Sequence, residues 1–133
     1  ENLMTISAAG IAGAQNDIYA FDGNTAGAAG IAEMLVQCHE GYIELIPCLP
    51  AQWSEGRFEG LCVKGGAEIA AAWKRGVVQK ASIKATVDGA FCFKLPEGKS
   101  YTVMLNGKKC PLLSDANNCI THFLRKGDIL ELK

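Results

Sequence analysis

A chain of 133 residues, 49% of them apolar, is long enough to form one domain around a single hydrophobic core. Its 13 basic and 14 acidic residues give a net charge of -1, which argues against nucleic acid or an anionic membrane as a partner, because both require clustered positive charge. No run of about 18 apolar residues occurs, so the sequence contains no candidate membrane-spanning helix.

The N-terminal segment carries few bulky side chains among its alanines, glycines and serines. A segment of this kind buries apolar surface only against a neighbouring structure. Residues 6–14 are apolar, but they lack the basic flank and the cleavage-site pattern of a secretory signal peptide. We therefore expect these residues to belong with the helix that follows, in one terminal segment that covers residues 1–41.

A helix is predicted over about residues 25–39, where apolar residues recur at helical spacing. Asn24 or Thr25 is suited to cap its first turn, and Gly41 stands where a glycine would end it. Asp22 precedes the helix in an Asp-Gly-Asn turn. This position places a carboxylate near the positive end of the helix dipole, which favours its ionised form and suits a general base.

The hydrophobic pattern changes from helical to alternating at Tyr42 and stays alternating to the end of the sequence. About seven to nine short strands, separated by turns rich in glycine, proline and asparagine, are predicted over residues 42–133. Asn106-Gly107 is the dipeptide best suited to a type I′ hairpin, because both residues tolerate positive φ. The predicted fold is mainly β, an antiparallel β-sandwich preceded by one α-helix.

Several motifs, taken in chain order, resemble the C-terminal region of glycoside hydrolase family 95, the α-L-fucosidases and their relatives. They are DGN at residues 22–24, AGIAEML at 29–35, LIPCLP at 45–50, Trp53 and the Trp73-Lys74 turn. The resemblance covers about residues 22–95. It implies a multidomain parent enzyme in which a helical (α/α) barrel carries the active site and a β-sandwich follows. Residues 1–41 would be the end of that barrel, and residues 42–133 the C-terminal sandwich.

The same resemblance implies a reaction for the parent enzyme, the hydrolysis of terminal α-linked fucose, or of a related sugar such as galactose, with inversion. Asp22 aligns with the acidic residue of the family's DGN motif, which is implicated in activating the catalytic water together with barrel asparagines. The family's general acid is a glutamate in a part of the barrel that this sequence does not contain. We therefore expect the chain to be inactive in isolation. From the residues alone, an aspartate in such a turn more often forms the turn or caps the helix.

Two residues are candidates for contact with a sugar. Asn24 could line the sugar pocket, although capping is its simpler role. Trp53 lies in a proline-rich loop, where its ring could stack on a sugar or pack against the barrel. Trp73 stands in an alanine-rich strand and is expected in the core instead.

No cofactor and no metal site are predicted. His39 and His122 lie in different parts of the sequence, without a serine or cysteine nucleophile motif beside either. The six cysteines form no closely spaced pair of the kind that zinc sites use. We expect them to be small buried residues, with one or two disulfides as the alternative if the parent enzyme is exported.

The partners follow from these readings. We expect a glycan partner for the parent enzyme, no nucleic acid and no membrane, and a homodimer formed through surface that loss of the barrel exposes. A periplasmic or extracellular location is implied by the resemblance alone. The rival function is a free-standing carbohydrate-binding module with an aromatic patch, and an interaction domain without sugar binding is a third.

Overall fold

A computed structural model describes residues 6–7, 18–19 and 21–133, with side chains described from residue 23 onward. The chain forms two compact units, Glu1–Glu33 and Met34–Lys133. The division falls eight residues before the predicted boundary at residue 41. The reason is that Leu35 and Val36 already pack in the core of the second unit.

The first unit contains a short strand pair and most of a helix. Strand β1 (Ile6–Ser7) pairs antiparallel with β2 (Ile18–Tyr19). Helix α1 runs over Phe21–Leu35, so the predicted bounds of about 25–39 are four residues late at both ends. The helix includes Asp, Gly and Asn in its first turn. Backbone N–H groups have no intrahelical partner there, so these weak helix-forming residues lower the stability of the helix only slightly. It ends at Leu35 because the next two residues pair with a strand.

The second unit contains ten strands in the described residues. They are β3 (Val36–Gln37), β4 (Glu44–Leu45), β5 (Glu55–Val63), β6 (Ala67–Lys74), β7 (Val77–Ala85), β8 (Gly89–Lys94), β9 (Val103–Leu105), β10 (Lys108–Lys109), β11 (Cys119–Leu124) and β12 (Ile129–Leu132). Six of them form one antiparallel sheet in the order β10-β9-β12-β7-β6-β5.

The other four strands form a second layer. β11 pairs antiparallel with β8, and β3 pairs antiparallel with β4. Ile43 joins the two pairs through a parallel bridge with Phe93. The Ile43 N–H donates to the carbonyl oxygen of Cys92 at 2.8 Å, and its own carbonyl oxygen accepts from the N–H of Lys94 at 2.9 Å. The layer therefore has the order β3-β4-β8-β11.

Buried apolar side chains from both layers form one core. β6 shows the alternation clearly, because every second residue from Ala67 to Trp73 is buried. The largest fully buried side chains are Phe93, Ile69, Ile83, Ile120, Leu124, Leu130, Leu132, Val78 and Val103. No charged or polar side chain of the described residues is buried. The predicted antiparallel β-sandwich with one preceding helix is confirmed.

Two predicted glycine roles have different outcomes. Asn106 and Gly107 have φ of 49° and 77°, so the type I′ hairpin predicted at this dipeptide is confirmed between β9 and β10. Gly41 has a φ of 86° but lies in the connection between β3 and β4. The prediction that it ends the helix is wrong, because the intervening Val36–Gln37 has already turned back to pair with β4.

Candidate functional site

Asp22 is the second residue of α1. Its backbone is helical, whereas its side chain lies outside the part of the chain that the structure describes. A position in the first turn of a helix is one where the helix dipole favours a negative charge. The predicted proximity of Asp22 to a helix N-terminus is therefore retained, although it lies inside the helix rather than before it.

Asn24 and Thr25 are the fourth and fifth residues of α1, so the prediction that one of them caps the helix is wrong. A cap residue has a non-helical backbone and precedes the first turn. Positions 22 and 24 are two apart on the helix, and positions at this spacing lie on different faces. The structure therefore brings Asp22 and Asn24 into one turn of backbone without placing them on one face.

Glu33 is the other carboxylate of α1 and is exposed. It is separated from Asp22 by 11 residues, which corresponds to about 16 Å along the helix axis. Two carboxylates that share an inverting glycosidase reaction lie about 6.5–9.5 Å apart. Glu33 therefore does not supply the second catalytic group for Asp22.

Trp53 lies in the loop between β4 and β5, and its side chain is 36% exposed. The backbone N–H of Trp53 donates to the carbonyl oxygen of Pro50 at 2.9 Å. Its carbonyl oxygen accepts a hydrogen bond of 2.8 Å from Nε1 of Trp73. Trp73 is only 6% exposed, which confirms its predicted place in the core. The backbone of the loop is thus tied to a buried side chain, and the Trp53 indole remains partly available to a ligand.

Gly56 is a residue whose role the sequence reasoning missed. It pairs with Trp73 across β5 and β6, and a Cβ atom built on it would lie 2.5 Å from Cζ2 of the Trp73 indole. The ring of Phe58 also approaches this indole, with 6.4 Å between the ring centroids and an interplanar angle of 46°. The indole therefore lies directly over the bare backbone of Gly56, and this packing holds the nitrogen that binds the Trp53 loop.

A polar cluster on the second layer was also not predicted. Nζ of Lys94 donates to Oε1 of Glu44 at 2.9 Å and lies 5.7 Å from the centroid of the Tyr42 ring. The hydrogen bond to Glu44 raises the pKa of Lys94 above its ordinary value. A lysine whose charge is favoured in this way stays protonated and does not act as a general base. The cluster joins β4 to β8 and has no catalytic arrangement of its own.

All six cysteines have free thiols. Cys119 is buried, whereas Cys48 and Cys62 are exposed, so the prediction that the cysteines are buried is wrong for the latter two. Cys48 lies in a surface loop, and Cys62 lies on the outward-facing side of an edge strand. Burial raises the pKa of the Cys119 thiol, which makes it a poor nucleophile.

No group of three or more metal-ligating side chains occurs in residues 6–7, 18–19 and 21–133. In the same residues, α1 does not have the length and apolar character that crossing a membrane requires.

The sandwich geometry agrees with a family assignment. The sequence matches the model of the C-terminal domain of glycoside hydrolase family 95 over residues 37–132. The chain belongs to glycoside hydrolase family 95. This family 95 chain is also 39% identical over 59 residues to Alpha-L-fucosidase 2 of Arabidopsis thaliana. That alignment covers 44% of the chain but only 7% of the Arabidopsis protein.

The family match divides the predicted site residues into two groups. Residues 37–132 include Trp53 and the strands β4 to β12. Asp22 and Asn24 precede the matched region and lie in α1. The family 95 chain therefore contains the matched C-terminal domain region, over residues 37–132, together with a helical segment that bears the candidate residues Asp22 and Asn24.

Proposed function

We propose that the chain is the C-terminal part of a family 95 enzyme that hydrolyses terminal α-linked fucose, or a related sugar such as galactose, with inversion. The observation that carries the proposal is the family match over residues 37–132, which include the strands β4 to β12. The alignment with a protein named Alpha-L-fucosidase 2 supports fucose as the sugar. In this proposal, α1 is the last helix of the catalytic barrel, and the sandwich is an accessory domain.

Asp22 is proposed to help activate the catalytic water. Its backbone position in the first turn of α1 supports this role, because the positive end of the helix dipole favours a carboxylate that accepts a proton from water. Inverting hydrolysis also needs an acid to protonate the departing oxygen. The only other carboxylate of α1, Glu33, is too far along the helix, so the acid is proposed to come from the remainder of the parent enzyme.

The isolated chain is accordingly proposed to be inactive, with a glycan as the partner of the parent enzyme. In isolation, the exposed α1 segment from Thr25 to Gly30 is proposed to promote a homodimer. The parent enzyme is proposed to act in the periplasm or outside the cell, because glycan substrates are located there.

The test is hydrolysis of a chromogenic α-L-fucoside by the 133-residue chain and by the full-length protein that contains it. We expect activity only from the full-length protein, and we expect Asp22→Asn to abolish most of it. Glu33→Gln is the matched control, because it neutralises a carboxylate on the same helix away from the proposed site. Its activity should equal that of the unmodified protein.

Each outcome distinguishes the proposal from its alternatives. Activity of the short chain that depends on Asp22 would show that a complete acid–base pair is present here, against the proposed division of the site. An inactive full-length protein would contradict the fucosidase assignment. Equal losses in Asp22→Asn and Glu33→Gln would indicate a structural role for the charge of α1.

A free-standing carbohydrate-binding module is the second candidate, and the partial exposure of Trp53 favours it. An exposed indole on an anchored loop is a suitable stacking surface for a sugar ring. This function requires that the short chain bind fucose or a fucosylated oligosaccharide and that Trp53→Ala abolish the binding. Retention of binding in Trp53→Ala would exclude this surface.

A further inference from the structure

The outer face of the six-stranded sheet carries a shallow groove of about 370 Å³, which we call the outer groove. Its floor contains three small residues, Ala70, Ala72 and Ser82. These positions face outward because their neighbours on β6 and β7 alternate with them and are the buried ones. Ligand pockets have volumes of about 300–1,000 Å³, so the outer groove has room for a small sugar.

Strand register aligns two cationic residues across the outer groove. Arg57 of β5 pairs with Ala72 of β6, and Ala72 pairs with Lys80 of β7. Neighbouring strands lie about 4.8 Å apart, so about 10 Å separates the backbones of Arg57 and Lys80. Only the methyl group of Ala72 stands between them. The register therefore places two long cationic side chains on either side of one small residue.

The charges that line the outer groove are unevenly paired. Nζ of Lys133 lies 3.2 Å from Oε2 of Glu131, which neutralises both groups. The side chains of Arg57 and Lys80 make no ion pair or hydrogen bond with any residue in the part of the chain that the structure describes. Glu59 also lines the groove and is unpaired within the same residues. Among the side chains of the groove, two unpaired cations therefore stand against one unpaired carboxylate.

We propose that the outer groove binds an acidic sugar, whose carboxylate or sulfate group is held between Arg57 and Lys80. The planar guanidinium of an arginine donates two parallel hydrogen bonds to such a group, and the ammonium of a lysine adds a compact charge. The hydroxyl of Ser82 on the floor supplies a partner for a hydroxyl of the sugar ring. The inference that the ligand is a sugar rests on the proposed glycosidase function. The inference that the ligand is an anion rests on the two unpaired cations.

The scale of the charge favours a single acidic sugar over a polyanion. Binding of nucleic acid uses many phosphate contacts made by clustered lysines and arginines. The outer groove offers two unpaired cations, in a chain whose net charge is -1. The neighbouring Glu59 repels an anion, so removal of its charge is expected to strengthen binding.

The experiment is a titration of the 133-residue chain with glucuronate, with a monosulfated glucosamine, with glucose as the neutral control and with inorganic sulfate. Binding is followed through backbone amide chemical shifts. We expect the acidic sugars to shift the amides of Ala72 and Ser82 at about 20 mM salt and to lose affinity at about 500 mM salt. Arg57→Gln and Lys80→Gln should each weaken binding about tenfold, the effect of losing one charge-assisted hydrogen bond.

Two further variants separate binding from folding. Lys84→Gln removes the same charge from the same strand outside the outer groove, where Lys84 pairs with Glu68 at 3.3 Å, and it should leave affinity unchanged. Glu59→Gln should tighten binding about twofold, a gain that misfolding does not produce.

Several results would overturn the inference. They are equal shifts with glucose and glucuronate, an equal loss of affinity in Lys84→Gln and Lys80→Gln, and sulfate binding as tight as that of the acidic sugars, which would leave no sugar recognition. Failure of the fucosidase assignment is distinguishable from failure of this inference, because it would be observed as no hydrolysis of a neutral chromogenic fucoside. The variant with both Arg57→Gln and Lys80→Gln should hydrolyse that fucoside normally in the full-length protein.

Discussion

The contact between Gly56 and Trp73 allows the cost of one methyl group to be worked out. A Cβ atom at residue 56 would lie 2.5 Å from Cζ2, 2.8 Å from Cη2 and 3.1 Å from Cε2 of the indole. Carbon atoms in contact prefer about 3.5–4.0 Å, so the indole or the strand must move by about 1 Å. Overpacking of this kind costs about 1–3 kcal/mol.

Movement of the indole also disturbs a hydrogen bond. Nε1 of Trp73 donates to the carbonyl oxygen of Trp53 at 2.8 Å, and such a bond contributes about 0.5–1.5 kcal/mol. Replacement of a strand glycine by alanine returns about 0.5–1 kcal/mol by restricting the unfolded chain. We therefore expect Gly56→Ala to lower the free energy of unfolding by about 1–3 kcal/mol and to loosen the Trp53 loop.

The assay is urea unfolding followed by tryptophan fluorescence, which reports on Trp53 and Trp73, the two tryptophans of the sequence. Gly89→Ala is the control, because a Cβ atom there would meet its nearest neighbour, Cε2 of Phe91, at an ordinary 3.6 Å. It should raise the free energy of unfolding by about 0.5–1 kcal/mol, the gain from restricting the unfolded chain, because no overlap opposes that gain.

A second comparison uses Trp73→Phe, which removes the part of the indole that overlaps the new methyl group. In this background the cost of Gly56→Ala should fall by about 1 kcal/mol, the coupling expected of residues in contact. Equal unfolding midpoints for Gly56→Ala and Gly89→Ala would refute the reasoning. An unchanged cost in the Trp73→Phe background would refute it as well.

Three further predictions concern the second unit. Phe93→Ala should lower the free energy of unfolding in urea by about 3–5 kcal/mol, because Phe93 is only 1% exposed. Phe123 is 67% exposed, so Phe123→Ala should lower it by less than about 0.5 kcal/mol. Similar values for the two variants would contradict the assigned core. Tyr101→Phe loses the 2.8 Å hydrogen bond to the Val78 carbonyl oxygen and should cost about 1 kcal/mol. Burial raises the Tyr101 pKa above 10.0, so the stabilisation by the neutral hydroxyl is complete below pH 10.0 and is lost as the pH rises through the raised pKa. An alkaline decline in melting temperature that is equal in the unmodified protein and in Tyr101→Phe would argue against this contribution. The hydrogen bond from Asn106 lowers the Asp128 pKa below 3.8, so the stabilisation by the ionised carboxylate is present above pH 3.8 and is lost on acidification. Asp128→Asn should therefore show a smaller acid-induced fall in melting temperature than the unmodified protein. An identical fall in the two proteins would count against the bond.

Local sequence pattern was sufficient for the outline of this protein. Alternation of apolar residues after Tyr42 predicts the sandwich, since a strand buries every second side chain. Asn106-Gly107 predicts its hairpin, because positive φ is a property of these two residues themselves. Asp22 was predicted as a site residue from its place in a turn and from a family resemblance, and Trp53 from its proline-rich loop; both stay predictions. All of these signals lie within a few neighbouring residues.

The tertiary structure decided the features that depend on residues distant in the sequence. α1 ends at Leu35 rather than near residue 39 because β3 pairs with β4, and that pairing outweighs the helical periodicity. Gly56 is required by an indole on the neighbouring strand. The row of Arg57, Ala72 and Lys80 exists only through strand register and through bulges in β5 and β7. A shift of one residue would turn these side chains to the other face, so no local pattern predicts the outer groove.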